Sequence, residues 1–587
     1  MTNTEIAKIL EEISEYLDVS NDGFRSRAYG RAAATIASLD REATDIYREE
    51  GQKGLESIPS IGSGIAEKIE ELVTTGSLHY LDELKTKLPV NVQELTAIEG
   101  VGPKTIKTLY TQLHIKTRDD LEKAAASGSL RALPHFGEKT ERKILKSIEF
   151  LKQSKGRFLL GDILPIASKI EVRLKKIPGV RHVAIAGSLR RRQETIGDID
   201  IVASSKEPQK MIDAFISFPE VVHIYGSGAT KANVRLSLGI DADLRVVHDK
   251  EYGAALLYFT GDKQHNIELR KIAIEKGWKL SEYGLFKGNK LLAGATEEEV
   301  YHKLGLEWMP PEIRTVSGEI EAAMEKRIPR LIPYGSIKGD LQVQTSWTDG
   351  TASIEAMTDA ALAHGLSYIA ITDHTKSLTV ARGLDEKGLA RQAREIDALN
   401  KKFLKKKFRI LKSAEVNILK DGKLDIADTA LKKLDLVGVS VHSHFGMSEE
   451  EMTARIITAL KHPLVNILFH PTGRLIKKRE PYKVDILKVI KAAKHYGVAL
   501  EVNAYPDRLD LKDTHIRLAI EHGVKLVVDT DAHAPEHGKF LDLGVAQVRR
   551  GWGSKTDVLN TQSVSDLLKE IKRIKNSARR MPTGTEC

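Results

Sequence analysis

The segment AGSLRRRQETIGDIDIVAS, residues 186–204, decides the fold of the middle of this chain. In a strand, Asp198 and Asp200 would project from the same face, where two carboxylates repel each other unless a cation lies between them. A later run, DADLRVV, places Asp241 and Asp243 on one face of a further strand, so that either could complete the set. The segment therefore predicts a sheet that carries a site for a hard metal ion.

A turn of small residues precedes the acidic pair. Gly187 and Ser188 lie at the end of the preceding apolar run, where small side chains admit a triphosphate and Arg191 can neutralise its charge. Two Mg²⁺ ions between the carboxylates would activate an attacking hydroxyl and stabilise a leaving pyrophosphate. Each motif alone is also compatible with an exposed strand edge, but their combination favours nucleotidyl transfer.

Length and composition bound the rest of the molecule. The 587 residues, 41% of them hydrophobic, suffice for several domains of roughly 150 residues each. No apolar run approaches the ~20 residues of a membrane span, and the start MTNTEIAKIL does not resemble a signal peptide, which predicts a soluble cytoplasmic protein. The single cysteine, Cys587, excludes internal disulfides and cysteine metal sites. The net charge of +9 is consistent with a polyanionic partner.

The chain divides into blocks of different periodicity. Residues 4–150 show helical spacing of apolar positions, whereas strand-like and helical runs alternate from residue 158 onward. The segment 309–335 contains four prolines and interrupts both patterns. Beyond it, strand-like runs that mostly end near His, Asp or Glu favour a β/α barrel with its chemistry at the strand ends. These seven runs are DLQVQ, YIAITDH, FRILKSAEV, LVGVSVHSH, VNILFHP, VALEVNA and KLVVDTDAH.

Three glycine-containing turns in the helical block resemble helix-hairpin-helix motifs. They are IPSIGSG at 58–64, IEGVGPK at 98–104 and LPHFGEK at 133–139. Glycines let such a turn bring backbone N–H groups against a phosphate, and the following helix N-terminus favours negative charge. One copy is often an ordinary helix connection, but two good copies favour DNA binding without sequence preference; the third adds little. The candidate DNA-binding residues here are Gly62, Gly64, Gly100, Gly102 and Lys104.

The segments GSLRRRQETIGDIDIV, DLRVV and YFTGDKQHNIELRKIAIEKGW resemble the palm and thumb of a family X DNA polymerase, similar to DNA polymerase beta. The resemblance covers residues 1 to about 320. It implies that Asp198, Asp200 and Asp243, rather than Asp241, hold two Mg²⁺ ions, and that Asp243 assists deprotonation of the primer hydroxyl. Ser188, Arg191 and Gly197, together with Gly187, would bind the triphosphate.

The same resemblance assigns the nucleotide and template contacts. Tyr258, Phe259 and Gly261 match the segment that lies against the sugar of the incoming nucleotide. Asn266 and Arg270 align with residues that touch minor-groove edges, where acceptors common to correct pairs test geometry rather than base identity.

The segments AYGRAAATI and IPSIGSGIAEKIEEL match the lyase domain of that family. Lys68 aligns with its Schiff-base lysine and Tyr29 with a supporting tyrosine, although a solvated helix lysine remains the alternative. Gly64 replaces a lysine, and Arg25 stands where a lysine would grip the 5′-phosphate.

The C-terminal block resembles the polymerase and histidinol phosphatase (PHP) domain that is fused to bacterial and archaeal family X polymerases. The motifs are GDLQVQTSWTDG, ITDH, AEVNI, VSVHSH, FHPTGR, LEVNAYPDRLDL and DTDAH. The family's first ligand pair, H-x-H, is replaced by Gln342 and Gln344, whose carboxamide oxygens are weak ligands for Mn²⁺ or Zn²⁺. We expect weak or lost 3′-5′ exonuclease activity and a partial metal site. The remaining ligands are Asp349, His374, Glu415, His442, His470, Asp531 and His533.

The sequence thus predicts a multidomain α+β and α/β protein with a distorted (β/α)7 barrel at its C-terminal end. The predicted domains are lyase-like (1–85), fingers (86–157), palm (158–248), thumb (249–320), linker (321–335), PHP (336–575) and basic tail (576–587). We expect a monomeric repair polymerase that fills short gaps in primed or gapped double-stranded DNA from dNTPs, with no membrane association. The alternatives are a PHP phosphodiesterase delivered to DNA by the polymerase half, a non-catalytic DNA-binding scaffold, and a non-polymerase nucleotidyltransferase.

Overall fold

A computed structural model describes residues 1, 3–39, 41–96, 98, 100–133, 136–153 and 156–578 of the protein. The chain separates into two compact units, Met1–Lys155 with Lys477–Glu480, and Gly156–Ile476 with Pro481–Cys587. No helix among the described residues is long and apolar enough to cross a bilayer.

The described part of the first unit is helical, as its periodicity predicts. On α1, Ile6, Leu10, Ile13 and Leu17 recur at helical spacing and are all buried in one core. The helices are α1 (Asn3–Val19), α2 (Gly23–Ser38), α3 (Ala43–Glu56), α4 (Ser63–Thr75), α5 (His79–Lys87), α6 (Val92–Thr96), α7 (Pro103–Leu113), α8 (Arg118–Ala126) and α9 (Glu138–Gln153).

The second unit begins with a mixed sheet, which we call the palm sheet, in the strand order β2-β4-β7-β6-β5. Its strands β4 and β7 are parallel neighbours, whereas the other pairs are antiparallel. The elements are β1 (Phe158–Leu159), α10 (Leu160–Lys175), β2 (Val180–Ile185), α11 (Gly187–Arg190), β3 (Thr195–Ile196), β4 (Asp198–Ser205), α12 (Pro208–Ile216), β5 (Val221–Ser227), β6 (Lys231–Leu236) and β7 (Asp241–Val247).

Helices and a three-stranded antiparallel sheet follow and enclose a separate core. They are α13 (Tyr252–Thr260), α14 (Lys263–Glu275), β8 (Lys279–Ser281), β9 (Gly284–Lys287), β10 (Lys290–Ala293), α15 (Glu297–Leu304) and α16 (Glu319–Met324). The proline-rich segment predicted as a linker is not a free connection, because Leu331 and Ile332 are buried and Leu331 bridges to Ser554. Its prolines stop helix and strand propagation without preventing packing.

The remaining strands form the predicted barrel. All neighbours are parallel, and a parallel bridge between Val343 and Ala532 joins the first strand to the chain that follows the last. The third predicted run is interrupted at Ser413–Ala414, so that seven runs give eight strands in two sheets. The strands are β11 (Gly339–Val343), β12 (Tyr368–Ile371), β13 (Arg409–Lys412), β14 (Glu415–Asn417), β15 (Gly438–Ser440), β16 (Ile467–Leu468), β17 (Ala499–Asn503) and β18 (Leu526–Asp529).

Helices surround this barrel, so the predicted mixed fold class is confirmed. The residues 579–587 of the predicted basic tail lie outside the described residues. The helices are α17 (Ile354–Ala363), α18 (Glu386–Phe403), α19 (Asp428–Leu431), α20 (Glu449–Leu460), α21 (Ile486–Tyr496), α22 (Asp513–Glu521), α23 (Leu541–Arg550) and α24 (Val564–Ala578).

Candidate active sites

The register of the palm sheet brings the predicted acidic residues to neighbouring positions. Strands β4 and β7 run parallel, with Asp200 opposite Asp243 and Asp198 opposite Asp241. Because paired residues of adjacent strands project from the same face, the four carboxylates share one face of the sheet.

The surroundings distinguish Asp243 from Asp241. The guanidinium of Arg235 lies 2.9 Å from Asp241, so that the charge of this aspartate is neutralised by a salt bridge. Asp243 instead accepts a hydrogen bond from the neutral side-chain amide of Asn233. The charge of Asp243 is therefore not offset by Asn233, which favours Asp243 over Asp241 as a ligand for a cation.

Burial and repulsion between carboxylates are visible in the proton affinities of Asp198 and Asp200. Burial, followed by the charges of Asp198 and Asp243, raises the pKa of Asp200 to about 7. Burial and then Asp243 also raise the pKa of Asp198. Among the described residues, no lysine or arginine forms a salt bridge with Asp198, Asp200 or Asp243. Oxygen donors in this state suit a hard cation such as Mg²⁺.

The three carboxylates do not form a group in which one oxygen of each lies within 4.8 Å of the other two. This is looser than the convergence that the motif predicts, because like charges separate and each aspartate has other neighbours. Asp200 turns toward Gly187, where an added Cβ would lie 2.1 Å from its Oδ2. Adjacent strands are only about 4.8 Å apart, so side-chain rotation is enough to gather the three.

A cavity of 610 Å³ is lined by Asp198 and Asp200, though not by Asp243, and by most of the predicted nucleotide contacts. Arg191 donates a hydrogen bond to the carbonyl of Thr260 and lies 3.0 Å from the position of a Cβ on Gly261. Asn266 donates to the carbonyl of Tyr258 at 2.7 Å, which fixes the start of α14 against the end of α13. The predicted residues in the wall are Gly187, Ser188, Arg191, Asp198, Asp200, Tyr258, Phe259, Gly261, Asn266 and Arg270.

The cavity wall also contains residues that the sequence did not single out: Arg157, Gln193, Asp262 and Lys263. Gly197 is the one residue predicted to bind the triphosphate that does not line the cavity. A Cβ added to Gly197 would lie 3.3 Å from Arg157, which does line it. Arg157 precedes a strand of two residues and belongs to no motif, so only the β1–β3 pairing places it here. Asp262 and Lys263 could have been predicted from the sequence, because both lie within the YFTGDK segment at 258–263.

The helix-hairpin turns expose backbone at helix starts. Gly62 and Gly102 immediately precede α4 and α7, and no heavy atom lies within 4 Å of a Cβ added to either. Gly100 has φ +87°, and Ser60 takes the equivalent φ of +67° in the first turn. Gly64 and Lys104 are exposed beside these turns. Part of the third candidate turn, at 134–135, lies outside the described residues.

The candidate lyase residues cluster around Tyr80, which the sequence did not indicate. Its ring stacks on Tyr29 at 6.1 Å, its hydroxyl accepts a hydrogen bond from Arg25 at 3.3 Å, and the Lys68 ammonium lies 5.8 Å from its ring centre. Burial, followed by Tyr80, raises the pKa of Tyr29 to about 12. The Lys68 side chain is 28% exposed, which leaves its amine accessible.

In the barrel, the predicted ligands meet at the ends of the strands. Two groups of three each bring one ligand atom within 4.8 Å of the other two: Asp349, His374 and His533, and His374, Glu415 and His442. His470 adds a contact of 2.8 Å to Glu415. The buried Nδ1 atoms of His374 and His470 have no hydrogen-bond partner among the described residues. Imidazole and carboxylate donors of this kind fit Mn²⁺ or Zn²⁺ at these two groups.

The pKa values of Glu415 and His533 reflect the close contacts between acidic and histidine side chains in the barrel site. Although burial alone would raise it, His374 and then His442 hold the pKa of Glu415 well below its usual range. Burial likewise opposes the charged form of His533, but its hydrogen bond to Asp349 raises the pKa of His533 to about 9.

At the positions of the family's first ligand pair, the barrel site has two glutamines whose side chains form hydrogen bonds to neighbouring protein side chains. Gln344 donates a hydrogen bond to Glu415 at 2.8 Å, and Gln342 accepts one from Asn503 at 3.3 Å. Asp531 is paired with Arg508 at 3.2 Å. This arrangement does not fit a further divalent cation, because the carboxamide oxygens are weak ligands and Arg508 offsets the charge of Asp531.

Comparisons with known families agree with the fold. Residues 255–315 match the DNA polymerase beta thumb, residues 1–78 a helix-hairpin-helix domain, residues 92–149 a SAM-like helix-hairpin-helix tandem, and residues 340–505 the PHP domain.

Relatives extend the likeness to the whole chain. The DNA polymerase/3'-5' exonuclease PolX of Bacillus subtilis (strain 168) is 37% identical over 578 residues, which cover 98% of this chain and 100% of the relative. DNA polymerase lambda of Rattus norvegicus is 27% identical over 53% of this chain and 56% of its own length. A probable phosphatase of Thermoanaerobacter sp. (strain X514) is 35% identical over 36% of this chain and 84% of its own length. The chain belongs to the family X DNA polymerases that carry helix-hairpin-helix and thumb domains and a C-terminal PHP domain.

Proposed function

We propose that the protein is a DNA polymerase that fills short gaps in double-stranded DNA from dNTPs in the cytoplasm. The observation that carries this proposal is the parallel register of Asp200 with Asp243, with Asp198 on the same face and a 610 Å³ cavity beside them. The exposed turns at Gly62 and Gly102 provide backbone contacts for DNA phosphates without sequence preference.

The residues around the cavity would have separate roles in binding metal ions, the triphosphate and the nucleotide sugar. Asp198, Asp200 and Asp243 would hold two Mg²⁺ ions, which lower the pKa of the primer hydroxyl and stabilise the leaving pyrophosphate when bound. Ser188 and Arg191 bind the triphosphate at the turn after β2, and Arg157 and Lys263 add positive charge. The remaining wall of the cavity, from Tyr258 to Gly261, lies against the nucleotide sugar.

A single-nucleotide gap assay tests the proposal. Wild-type protein is incubated with Mg²⁺, the complementary dNTP and a duplex that carries a one-nucleotide gap. We expect extension of the primer by one nucleotide. Absence of extension, with DNA binding intact, would support the alternatives of a scaffold or a PHP phosphodiesterase.

The loss of gap-filling activity at low pH should depend on the Mg²⁺ concentration. Because the pKa of Asp200 is about 7 and only the carboxylate can bind a metal, protons and Mg²⁺ compete for this side chain. At low Mg²⁺, activity should rise with pH through about 7, and saturating Mg²⁺ should move the midpoint to lower pH. Gap filling measured from pH 5.5 to 8.5 at two Mg²⁺ concentrations checks this; a midpoint independent of Mg²⁺ would contradict it.

We propose that the barrel has weak or no 3′-5′ exonuclease activity. The supporting observation is that Gln342 and Gln344 stand at the positions of the family's first two histidine ligands, and that Arg508 forms a salt bridge with Asp531. The two groups around His374 would hold Mn²⁺ or Zn²⁺, without completing the cluster that clamps a scissile phosphate.

An abasic-site lyase is a second candidate activity, supported by the cluster of Lys68, Tyr29, Arg25 and Tyr80. A lysine amine can attack the aldehyde of an abasic sugar to form a Schiff base. Borohydride reduction on an incised abasic duplex should trap wild-type protein on DNA, whereas the Lys68→Ala variant should be trapped only at background level. Lys87→Ala, at an exposed lysine of the same helical unit, is the control; equal trapping of all three proteins removes Lys68 from this role.

A further inference from the structure

Three consecutive arginines follow the Gly187–Ser188 turn, and each is tied to a different part of the second unit. Arg190 pairs with Glu297 at 2.7 and 2.8 Å. Arg191 donates to the carbonyl of Thr260, and the guanidinium of Arg192 lies 5.7 Å from the ring centre of Tyr334. The turn that would bind the triphosphate is therefore anchored by its side chains.

The backbone of the same turn is held from the barrel. Arg550, the last residue of α23, donates from Nη1 to the carbonyl of Arg191 at 3.0 Å. Its Nη2 pairs with Asp513 at the start of α22, and its side chain is only 6% exposed. A Cβ added to Gly551 would lie 2.4 Å from Ile516, so the end of α23 is tightly packed against α22.

The contact belongs to an extensive interface rather than to an isolated side chain. Leu509 and Leu543 of the barrel are buried in the same core as the palm sheet. Arg474 of the barrel pairs with Glu194 at 2.5 and 3.1 Å and also donates to the carbonyl of Arg508 at 2.9 Å. The palm sheet and the barrel are thus joined by a shared apolar core as well as by the contacts of Arg474 and Arg550.

The contact brings the side chains of Arg191 and Arg550 close together, and neither guanidinium has all its N–H groups hydrogen-bonded. The Nε atoms of Arg191 and Arg550 are buried and have no hydrogen-bond partner among the described residues. Burial lowers the pKa of Arg191; the charge of Asp262 opposes this shift, and the positive charge of Arg550 adds to it. Arg191 lines the adjoining cavity, where the triphosphate would lie and where a guanidinium held in place would bind its negative charge.

We propose that Arg550 of the barrel is a positioning residue for the polymerase reaction, which fixes the Arg191 turn and favours binding of the triphosphate of the incoming nucleotide. This inference rests on the proposed polymerase function. It assigns a role to a barrel whose own metal centre lacks the H-x-H pair.

The test compares wild-type protein with Arg550→Met in single-nucleotide gap filling and in the reverse reaction, in which pyrophosphate attacks the primer terminus and releases a dNTP. The hydrogen bond to Arg191 is charge-assisted, so its loss should raise KM for the dNTP by about tenfold with kcat within about twofold. KM for pyrophosphate should rise similarly, because pyrophosphate shares only the phosphate contacts. A general loss of folding would instead lower kcat and leave both KM values unchanged.

Arg517→Met is the matched control. Arg517 lies on α22, the helix that carries Asp513. It pairs with Glu521 and stacks on Trp552 at 3.9 Å, and these contacts stay within the barrel. Its KM values should equal those of the wild type. Arg550→Lys, which keeps the charge without the two-pronged donor, should give intermediate KM values.

The outcomes separate the two claims. If wild-type protein does not extend the primer, the proposed function fails. If wild type extends it and Arg550→Met retains both wild-type KM values, this inference alone is overturned. Should Arg550→Met not fold, Asp513→Asn carries the test, because it weakens the partner that orients Arg550. A raised dNTP KM then supports the inference, and an unchanged one overturns it.

Discussion

Gap filling by the Asp200→Asn variant should fall by about 10³-fold or more, equivalent to about 4 kcal/mol of transition-state stabilisation. Asp200 lies between Asp198 on its own strand and Asp243 on the neighbouring strand. Its replacement by a neutral carboxamide removes the ligand through which both ions are held beside the triphosphate. The measurement is single-turnover extension of a one-nucleotide gap at saturating Mg²⁺ and dNTP, with melting temperature as a check of folding.

Asp241→Asn is the internal control for that prediction. Asp241 shares a strand and a face with Asp243, but its charge is already neutralised by Arg235. We expect Asp243→Asn to resemble Asp200→Asn and Asp241→Asn to retain activity within about fivefold of wild type, since its ion pair is partly exposed. The reverse order of the two variants would show that the structure has been assigned the wrong third ligand.

Restoring histidine in the barrel should produce the second large effect. Gln342→His/Gln344→His returns two neutral nitrogen donors to the end of β11, beside Glu415 and Asp531. With Mn²⁺, the double variant should degrade a 3′ end at least about 100-fold faster than wild type, because an additional ion completes the clamp on the phosphate.

Two further variants make this gain interpretable. His374→Ala in the restored background should abolish the new activity, since His374 belongs to both groups of candidate ligands. Asp200→Asn in the same background should leave it intact. Wild-type exonuclease activity equal to that of the restored variant would show that the two glutamines do not impair the site.

The sequence predicted the local elements well because their chemistry is local. The Asp198-x-Asp200 spacing and the Gly187–Ser188 turn identify strand, face and turn without reference to distant residues. The strand-end motifs of the barrel, with the exception of LEVNAYPDRLDL, likewise carry their predicted ligands within a few residues of an apolar run.

What the sequence could not show depends on pairing between distant segments. The choice between Asp241 and Asp243 depends on Arg235 and Asn233, which lie on β6 and meet β7 only in the folded sheet. The break between β13 and β14 places Glu415 against His374, although FRILKSAEV appears as one run. The contact from Arg550 to Arg191 joins residues 359 positions apart and belongs to no motif.

The central claim is that Asp198, Asp200 and Asp243 gather around two divalent ions beside the triphosphate. Its most direct test is a crystal structure of the protein with gapped DNA, Mn²⁺ and a non-hydrolysable dNTP, with the ions located by anomalous scattering. We expect two Mn²⁺ ions about 3.5–4 Å apart, both bound by Asp198 and Asp200 and one also by Asp243. Ions bound elsewhere, or an Asp243 carboxylate that stays with Asn233 and contacts neither ion, would contradict this account.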